Sequence, residues 1–182
     1  MIRKPAVAGS FYPASREALL REIRRATTQG EAHKPCIAAI APHAGYMYSG
    51  GVAGALYSQI EITPTVIILA PNHRGPFVPF ALTRASGWQT PLGTVEIDRT
   101  LADELMAAFP DIDQDDAPHV LEHSAEVQVP FLQYFRPDVK IVPIVIAEQE
   151  YEPLAGLGAA IAGCVRAAAA MGRGGVLVIA SS

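Results

Sequence analysis

Cysteine is scarce in this chain. Two residues in 182, Cys36 and Cys164, are too few for a disulfide framework. Both read as small buried hydrophobes, Cys36 opening a strand and Cys164 inside an alanine-rich helix. Charge is also thin: 18% of residues carry one, the net is −4, and half of the chain is hydrophobic, which excludes a disordered polymer. Basic residues do not concentrate. Arg21, Arg24 and Arg25 interleave with Glu17 and Glu22, the pattern of a solvated helix face rather than a nucleic-acid footprint. No apolar run approaches the ~20 residues that a bilayer-spanning helix needs. No signal-type apolar stretch follows the charged opening Met1-Ile2-Arg3-Lys4-Pro5. There is no P-loop, no dinucleotide fingerprint and no nucleophile elbow. What remains is a soluble, cytoplasmic protein without nucleic-acid or membrane partners. Its length suits one domain that buries roughly 70% of its extended surface.

Apolar runs alternate with helical patterns. Ser15 caps a first helix running to about Thr28, with Leu19, Leu20 and Ile23 inward and Gly30 ending it. Residues 50–57, small-sided and glycine-rich, read as a helix lying close against a sheet. Residues 80–84 and 93–97 read as short strands around the turn Thr90-Pro91-Leu92-Gly93. Asp98 caps a helix of Leu101, Leu105, Met106 and Phe109, stopped at Pro110. An acidic loop over 111–116 leads to a helix over 124–135, bent at Pro130. A strand over 140–146, a small-residue helix over 151–171 and a strand over 175–180 complete the chain. The class is α/β, with a mostly parallel central sheet flanked by helices.

Two of the apolar strands run straight into a proline and then a histidine. Residues 36–41 lead into Pro42-His43-Ala44-Gly45, and residues 65–70 into Pro71-Asn72-His73-Arg74-Gly75. Buried β-branched runs of this kind read as central strands of a parallel sheet, and proline cannot extend the ladder. Ligands of open α/β sheets sit at the carboxyl ends of strands. Two imidazoles delivered there by adjacent strands are the beginning of a metal or acid–base site. Asn72, Arg74, Tyr46 and Tyr48 flank the pair. Loop solvation and packing are their bland alternatives.

His119-Val120-Leu121-Glu122-His123 matches H-x-x-E-H, the inverted zinc-protease pattern. Pro118 and the acids before it put His119 at or before a helix start, which argues against that use. Glu122, His123 and Ser124 then stand at a helix N-terminus, either facing a pocket or simply capping the first amides.

Six segments occur in the order found in the Memo-like family, called AmmeMemoRadiSam system protein B in bacteria and archaea. They are Gly9-Ser10-Phe11-Tyr12-Pro13, Ala41-Pro42-His43-Ala44-Gly45-Tyr46, Pro71-Asn72-His73, Thr90-Pro91-Leu92-Gly93, Glu122-His123-Ser124-Ala125-Glu126 and Ile179-Ala180-Ser181-Ser182. The chain resembles the first two-thirds of a member, so residues 1–182 are expected to form a single domain lacking its C-terminal side. The resemblance implies a fold like that of class III extradiol dioxygenases. It implies that His43 and His73 ligate a metal and that His123 lines the same pocket as an acid–base or supporting group. Tyr46, Asn72, Glu122 and Ser124 are expected around it. A later Asp-x-x-His segment and a later cysteine, which complete the family's site, lie outside these residues. The expected cofactor is therefore a divalent iron, copper or zinc ion, held weakly because the third ligand is absent.

Three classes of function follow. The first is a metal centre of uncharacterised, redox or oxygenase-like activity. The second is a non-catalytic cleft that takes a peptide, small molecule or anion. The third is an inert fragment whose histidines serve only loop structure. The final strand, with no helix after it, leaves an edge through which a homodimer would form.

Overall fold

The computed structural model describes residues 1–28, 33–75 and 78–182. Among them are nine strands: β1 (Ile2–Arg3), β2 (Ala38–Ala41), β3 (Thr65–Pro71), β4 (Phe80–Leu82), β5 (Gly87–Thr90), β6 (Gly93–Ile97), β7 (Ile112–Gln114), β8 (Lys140–Ile146) and β9 (Val176–Ser181). The helices are α1 (Arg16–Ala26), α2 (Tyr46–Gln59), α3 (Arg99–Ala108), α4 (Ala117–Val120), α5 (Val129–Phe135) and α6 (Tyr151–Ala170), with a 3₁₀ turn over Glu126–Gln128. The sheet runs β1-β5-β6-β8-β3-β9-β2, and β4 and β7 branch from β8. Around β3 every pairing is parallel: β8 on one side, β9 on the other, and β2 beyond β9. The exceptions are the β5–β6 hairpin and the β4–β8 pair. The mixed α/β architecture with a mostly parallel sheet is the one expected from the alternating pattern.

Because side chains alternate across a strand, β3 feeds two cores. Val66, Ile68 and Ala70 join Leu19, Ile23, Tyr57 and Phe131 on the face covered by α1, α2 and α5. Ile67 joins Leu101, Leu105, Val142, Leu157 and Ile161 under α3 and α6. Ser15 caps α1 through a bond from Ala18 N, and Asp98 caps α3 through one from Leu101 N. These are the caps the sequence predicts.

Several expectations need correcting. β2 is an edge strand, not a central one, and Ile37 and Ile40 stand 79% and 73% exposed. β2 and β3 are not adjacent, because β9 lies between them. The open sheet edge accordingly belongs to β2 and not to β9. The glycine-rich helix α2 starts at Tyr46, and its close approach is to α1 rather than to the sheet. A Cβ on Gly54 would sit 2.3 Å from Ala26 O. The hairpin is β5–β6, whereas β4 pairs elsewhere. The acidic loop contains β7, which extends the sheet beside β4. Pro130 lies in the first turn of α5, where its missing N–H costs nothing, so it bends no helix. α1 ends at Ala26, and Gly30, expected to end it, lies outside the described residues. α6, at 20 residues, is long and apolar enough by length and composition to cross a membrane, contrary to the reading of the sequence. It packs on α3 and β9 and buries Leu157, Ile161, Cys164 and Ala168.

Candidate metal centre

Three parallel neighbours end together at one edge. β2 runs out at Ala41, β9 at Ser181 and β3 at Pro71. A proline follows or closes each histidine strand, so the chain leaves the ladder there and the next side chains stand over the sheet edge. His43 is tied to this edge by its backbone N–H, which donates to Ser182 O at 3.2 Å. Asn72 N donates to Ile146 O at 2.9 Å and anchors the loop bearing His73. His123 arrives from the segment between α4 and the 3₁₀ turn.

The three rings converge. Centroids are 5.2 Å apart for His43 and His73, 5.5 Å for His43 and His123, and 4.7 Å for His73 and His123. One ring nitrogen from each lies within 4.8 Å of the others, which no other group of His, Cys, Asp or Glu achieves among the described residues. The sequence reading counts two ligands and assigns His123 a supporting role. The geometry provides three nitrogen donors.

Glu122 organises the cluster. Its side chain is 1% exposed and accepts four donors: His73 N at 2.7 Å, His73 Nδ1 at 2.9 Å, His123 N at 2.8 Å and Ser124 N at 3.0 Å. Burial by itself would raise the carboxyl pKa. The Ser124 amide and the ring and amide of His73 outweigh it and hold Glu122 down at about 2. An ionised carboxylate only accepts, so His73 Nδ1 must carry its proton, and Nε2 keeps the lone pair.

His43 is oriented by a second chain of bonds. Ser181 O–H donates to Ser124 O at 2.7 Å, while Gln128 Nε2 donates to Ser181 Oγ at 2.8 Å. Ser181 Oγ can then only accept from His43 Nδ1, 3.3 Å away, which again leaves Nε2 free. Tyr57 O–H closes this chain by donating to Gln128 Oε1 at 2.9 Å. His123 Nδ1 lies 3.2 Å from Glu122 Oε1 but is not aligned for a hydrogen bond, and that buried nitrogen has no partner among the described residues. Phe11 packs on the His123 ring at 4.6 Å. Burial, then the neighbouring His73, lowers the pKa of His43. Burial also lowers that of His123, against the pull of Glu122.

These residues fit a metal ion. Neutral imidazoles are the common ligands, and ligating histidines usually donate their other N–H to a carboxylate, carbonyl or similar acceptor. His43 and His73 both show that arrangement.

Other expected residues take different places. Tyr46 is buried, with its hydroxyl donating to Val127 O and its ring against Phe131. Asn72 shapes its own loop, accepting from Arg74 N and donating to Gly75 O. Ser124 donates its hydroxyl to Pro71 O and stitches the His123 segment to β3. His119 stays out of the cluster. Its ring is buried against Ala81 O and Trp88, so the H-x-x-E-H spacing brings no pair of histidines together here. Ser181, Gln128 and Phe11 were not singled out for the site. Phe11 and Ser181 do lie in the ordered family segments, which is the one signal that pointed their way.

The family described as Memo-like protein matches residues 3–182. The chain is 45% identical over 173 residues to a MEMO1 family protein of Pyrobaculum aerophilum, covering 88% of this chain and 62% of that protein. It is 42% identical over 178 residues to one of Methanothermobacter thermautotrophicus, covering 91% and 64%. With one of Archaeoglobus fulgidus it shares 46% identity over 153 residues, covering 83% and 56%. The chain thus spans less than two-thirds of the length of these relatives.

Proposed function

The chain belongs to the Memo-like family, and we propose that residues 1–182 are the part of a Memo-like α/β domain that carries a transition-metal centre on His43, His73 and His123. The observation that carries this reading is the convergence of three ring nitrogens within 4.8 Å at the carboxyl edge of a parallel sheet. An imidazole set suits iron, copper or zinc, and three protein ligands with open positions are the usual composition of a reactive site. When bound, such an ion supplies Lewis acidity or, for iron and copper, one-electron redox chemistry. The chain's own work is to lower the pKa of His43 and His123 by burial and to turn Nε2 of His43 and His73 inward. Glu122 and Ser181 do the turning. The resemblance to extradiol dioxygenases supports a redox or oxygenase-like activity at this centre.

Titration calorimetry with Fe(II), Cu(II) and Zn(II) tests the reading. One ion per chain is expected, with His43→Ala and His73→Ala each lowering affinity at least tenfold. His123→Ala separates the two uses of that ring: a similar loss makes it a ligand, and retained affinity makes it an acid–base group. One-to-one binding that survives in the double variant His43→Ala/His73→Ala would overturn the proposal.

A second reading rests on Arg74. Its exposed guanidinium is close enough for its charge to lower the pKa of His123, and its Nε donates to Leu121 O. That charge beside three imidazole rings suits an anion-bearing small molecule or peptide held without turnover. Binding of phenyl phosphate to metal-free protein, lost in Arg74→Ala, would favour it.

A further inference from the structure

A groove of about 690 Å³ runs between α6 and the β9–β2 end of the sheet, and none of the three clustered histidines lines it. Its walls are apolar: Ile161, Ala162, Val165 and Ala169 come from α6, and Leu69 and Val178 from the sheet. Register sets Val178 beside both Ala38 of β2 and Ile67 of β3, so Ala38 and Ile40 share the face that α6 partly covers. Among the described residues nothing covers Ile40, which is 73% exposed. The same stretch is the open edge of the sheet. Ile37 O and Ala41 O accept from β9, and His43 N donates to Ser182 O, so the alternate residues Ala38 and Ile40 turn their backbone groups away from β9. Ala38 O accepts the Cys36 thiol at 3.0 Å. Parallel sheets are normally covered on both faces, and an unpaired edge is a template for another strand. This end of the sheet is one helix and one strand short.

We propose that groove and edge together receive a helix–strand unit, an apolar-faced helix beside α6 leading to a strand parallel to β2, supplied by the further length of Memo-like chains. Two crossovers already in the fold set the face. β2 leads through α2 to β3, two places towards β8, with Ala53 and Tyr57 of α2 in the core on the Val66 face. β8 leads through α6 to β9, two places towards β2, with Leu157 and Ile161 of α6 on the Ile67 face. Opposite steps on opposite faces are one hand, and parallel crossovers keep one hand. A step from β9 to a place beyond β2 runs the same way as β8 to β9. Its helix therefore falls on the α6 face, over the groove. The Pyrobaculum aerophilum relative, 62% of which is matched by this chain, has the length to supply both elements. The proposal is independent of any metal at the histidine cluster.

Residues 1–182 are to be compared with the same chain extended by the stretch of the P. aerophilum relative that follows its match. Two native probes read the outcome: hydrogen exchange at the Ile40 amide, and alkylation of Cys36, which lines the groove half-buried while Cys164 is buried. Extension should slow each about tenfold or more. Ala162→Arg, a change in the groove wall at a half-buried position, should restore both rates in the extended chain. Protected amides in β3 show that each preparation is folded, and the stretch added as a separate polypeptide gives the same reading where the extended chain does not fold. Rates unchanged by either form of the stretch, or slowed rates that Ala162→Arg leaves slow, would overturn the proposal. So would protection of Ile40 in the 182-residue chain that rises with its concentration, which gives the edge to a second copy. Ile40 protected while Cys36 is alkylated at its original rate would place no helix in the groove and overturn it equally.

Discussion

Glu122 holds His73 by two bonds at once: Oε2 accepts the backbone amide at 2.7 Å and Oε1 accepts ring Nδ1 at 2.9 Å. The residue just before the cluster's third histidine thereby sets both the loop and the ring of its second. Replacing it by glutamine keeps the shape but removes the charge and one of the two acceptor oxygens, so at least one buried donor loses its partner. Glu122→Gln should lower metal affinity about 10- to 100-fold, the usual effect of losing a ligand's orienting partner. It should also cost about 1–3 kcal/mol of stability. Calorimetry and urea denaturation on the same preparation separate the two effects.

Much of this site was legible because its cause is local. An apolar run ending in proline and histidine announces both a strand and the place where it stops, and His43 and His73 stand where that pattern puts them. What failed is what depends on strand order. Nothing in residues 36–41 says that β9, from the far end of the chain, will slip between β2 and β3, or that β2 will therefore be an edge with Ile40 exposed. β7 was hidden because Ile112-Asp113-Gln114 is too short and too acidic to show a period of two. Ser181 and Gln128 orient His43 only through tertiary contact, so no spacing could mark them. Glu122 was readable as a cap or as a pocket residue; it caps no helix, and its carboxylate instead ties the His123–Ser124 amides, ahead of the 3₁₀ turn, to the amide and ring of His73.

The contact between α1 and α2 predicts opposite outcomes for neighbouring glycines. A Cβ at Gly54 would meet Ala26 O at 2.3 Å and Ala26 C at 2.5 Å, both backbone atoms, so one helix must move. Gly54→Ala should destabilise by roughly 1–3 kcal/mol, the cost of overpacking. A Cβ at Gly51 meets nothing within 4 Å in the same helix. Gly51→Ala should therefore stabilise by about 0.5–1 kcal/mol through helix propensity alone. Chemical denaturation midpoints at equal slope decide both.

His119 gives the fold an acid sensitivity with a defined window. Its folded pKa is lowered to about 4 by burial and then by Arg3, whereas the unfolded chain titrates near the ordinary histidine value of 6.5. Between those values the unfolded state binds the extra proton, so stability falls as pH falls. The loss from this ring between pH 7 and pH 5 is about 2 kcal/mol. Glu122, lowered to about 2, contributes stability that is present above its unfolded value of 4.5, so its loss belongs to a more acidic range. His43 and His123, also lowered, add to the same window as His119. Urea denaturation across pH 7 to 5 should thus show a steep decline in the unmodified chain. In His119→Phe the decline should be shallower by about 2 kcal/mol, even if that variant is less stable throughout.

Glu126 fastens the N-terminal segment over the site, and its loss should be felt at His123. Its carboxylate is paired with Arg3 at 2.6 Å and accepts Ala6 N at 2.8 Å, Val7 N at 3.0 Å and Tyr12 O–H at 2.7 Å. Side-chain exposures of 6% and 1% make the Arg3–Glu126 pair a buried one. Removing one partner of such a pair leaves an uncompensated charge and typically costs about 3–5 kcal/mol. Glu126→Gln should fall near or just below that range, because the amide still accepts from one side, while Tyr12→Phe removes a single bond and should cost about 1 kcal/mol. The segment so held carries Phe11, whose backbone O accepts Tyr46 N at 2.7 Å and whose ring covers His123 at 4.6 Å. Loosening it should expose the His123 ring to water and relieve the burial that lowers its pKa. In Glu126→Gln, the NMR titration of His123 in metal-free protein should move upward towards 6.5, while that of His119 shifts with the loss of Arg3's anchor. An unchanged His123 titration, despite the lost stability, would show that Phe11 keeps its place by packing alone.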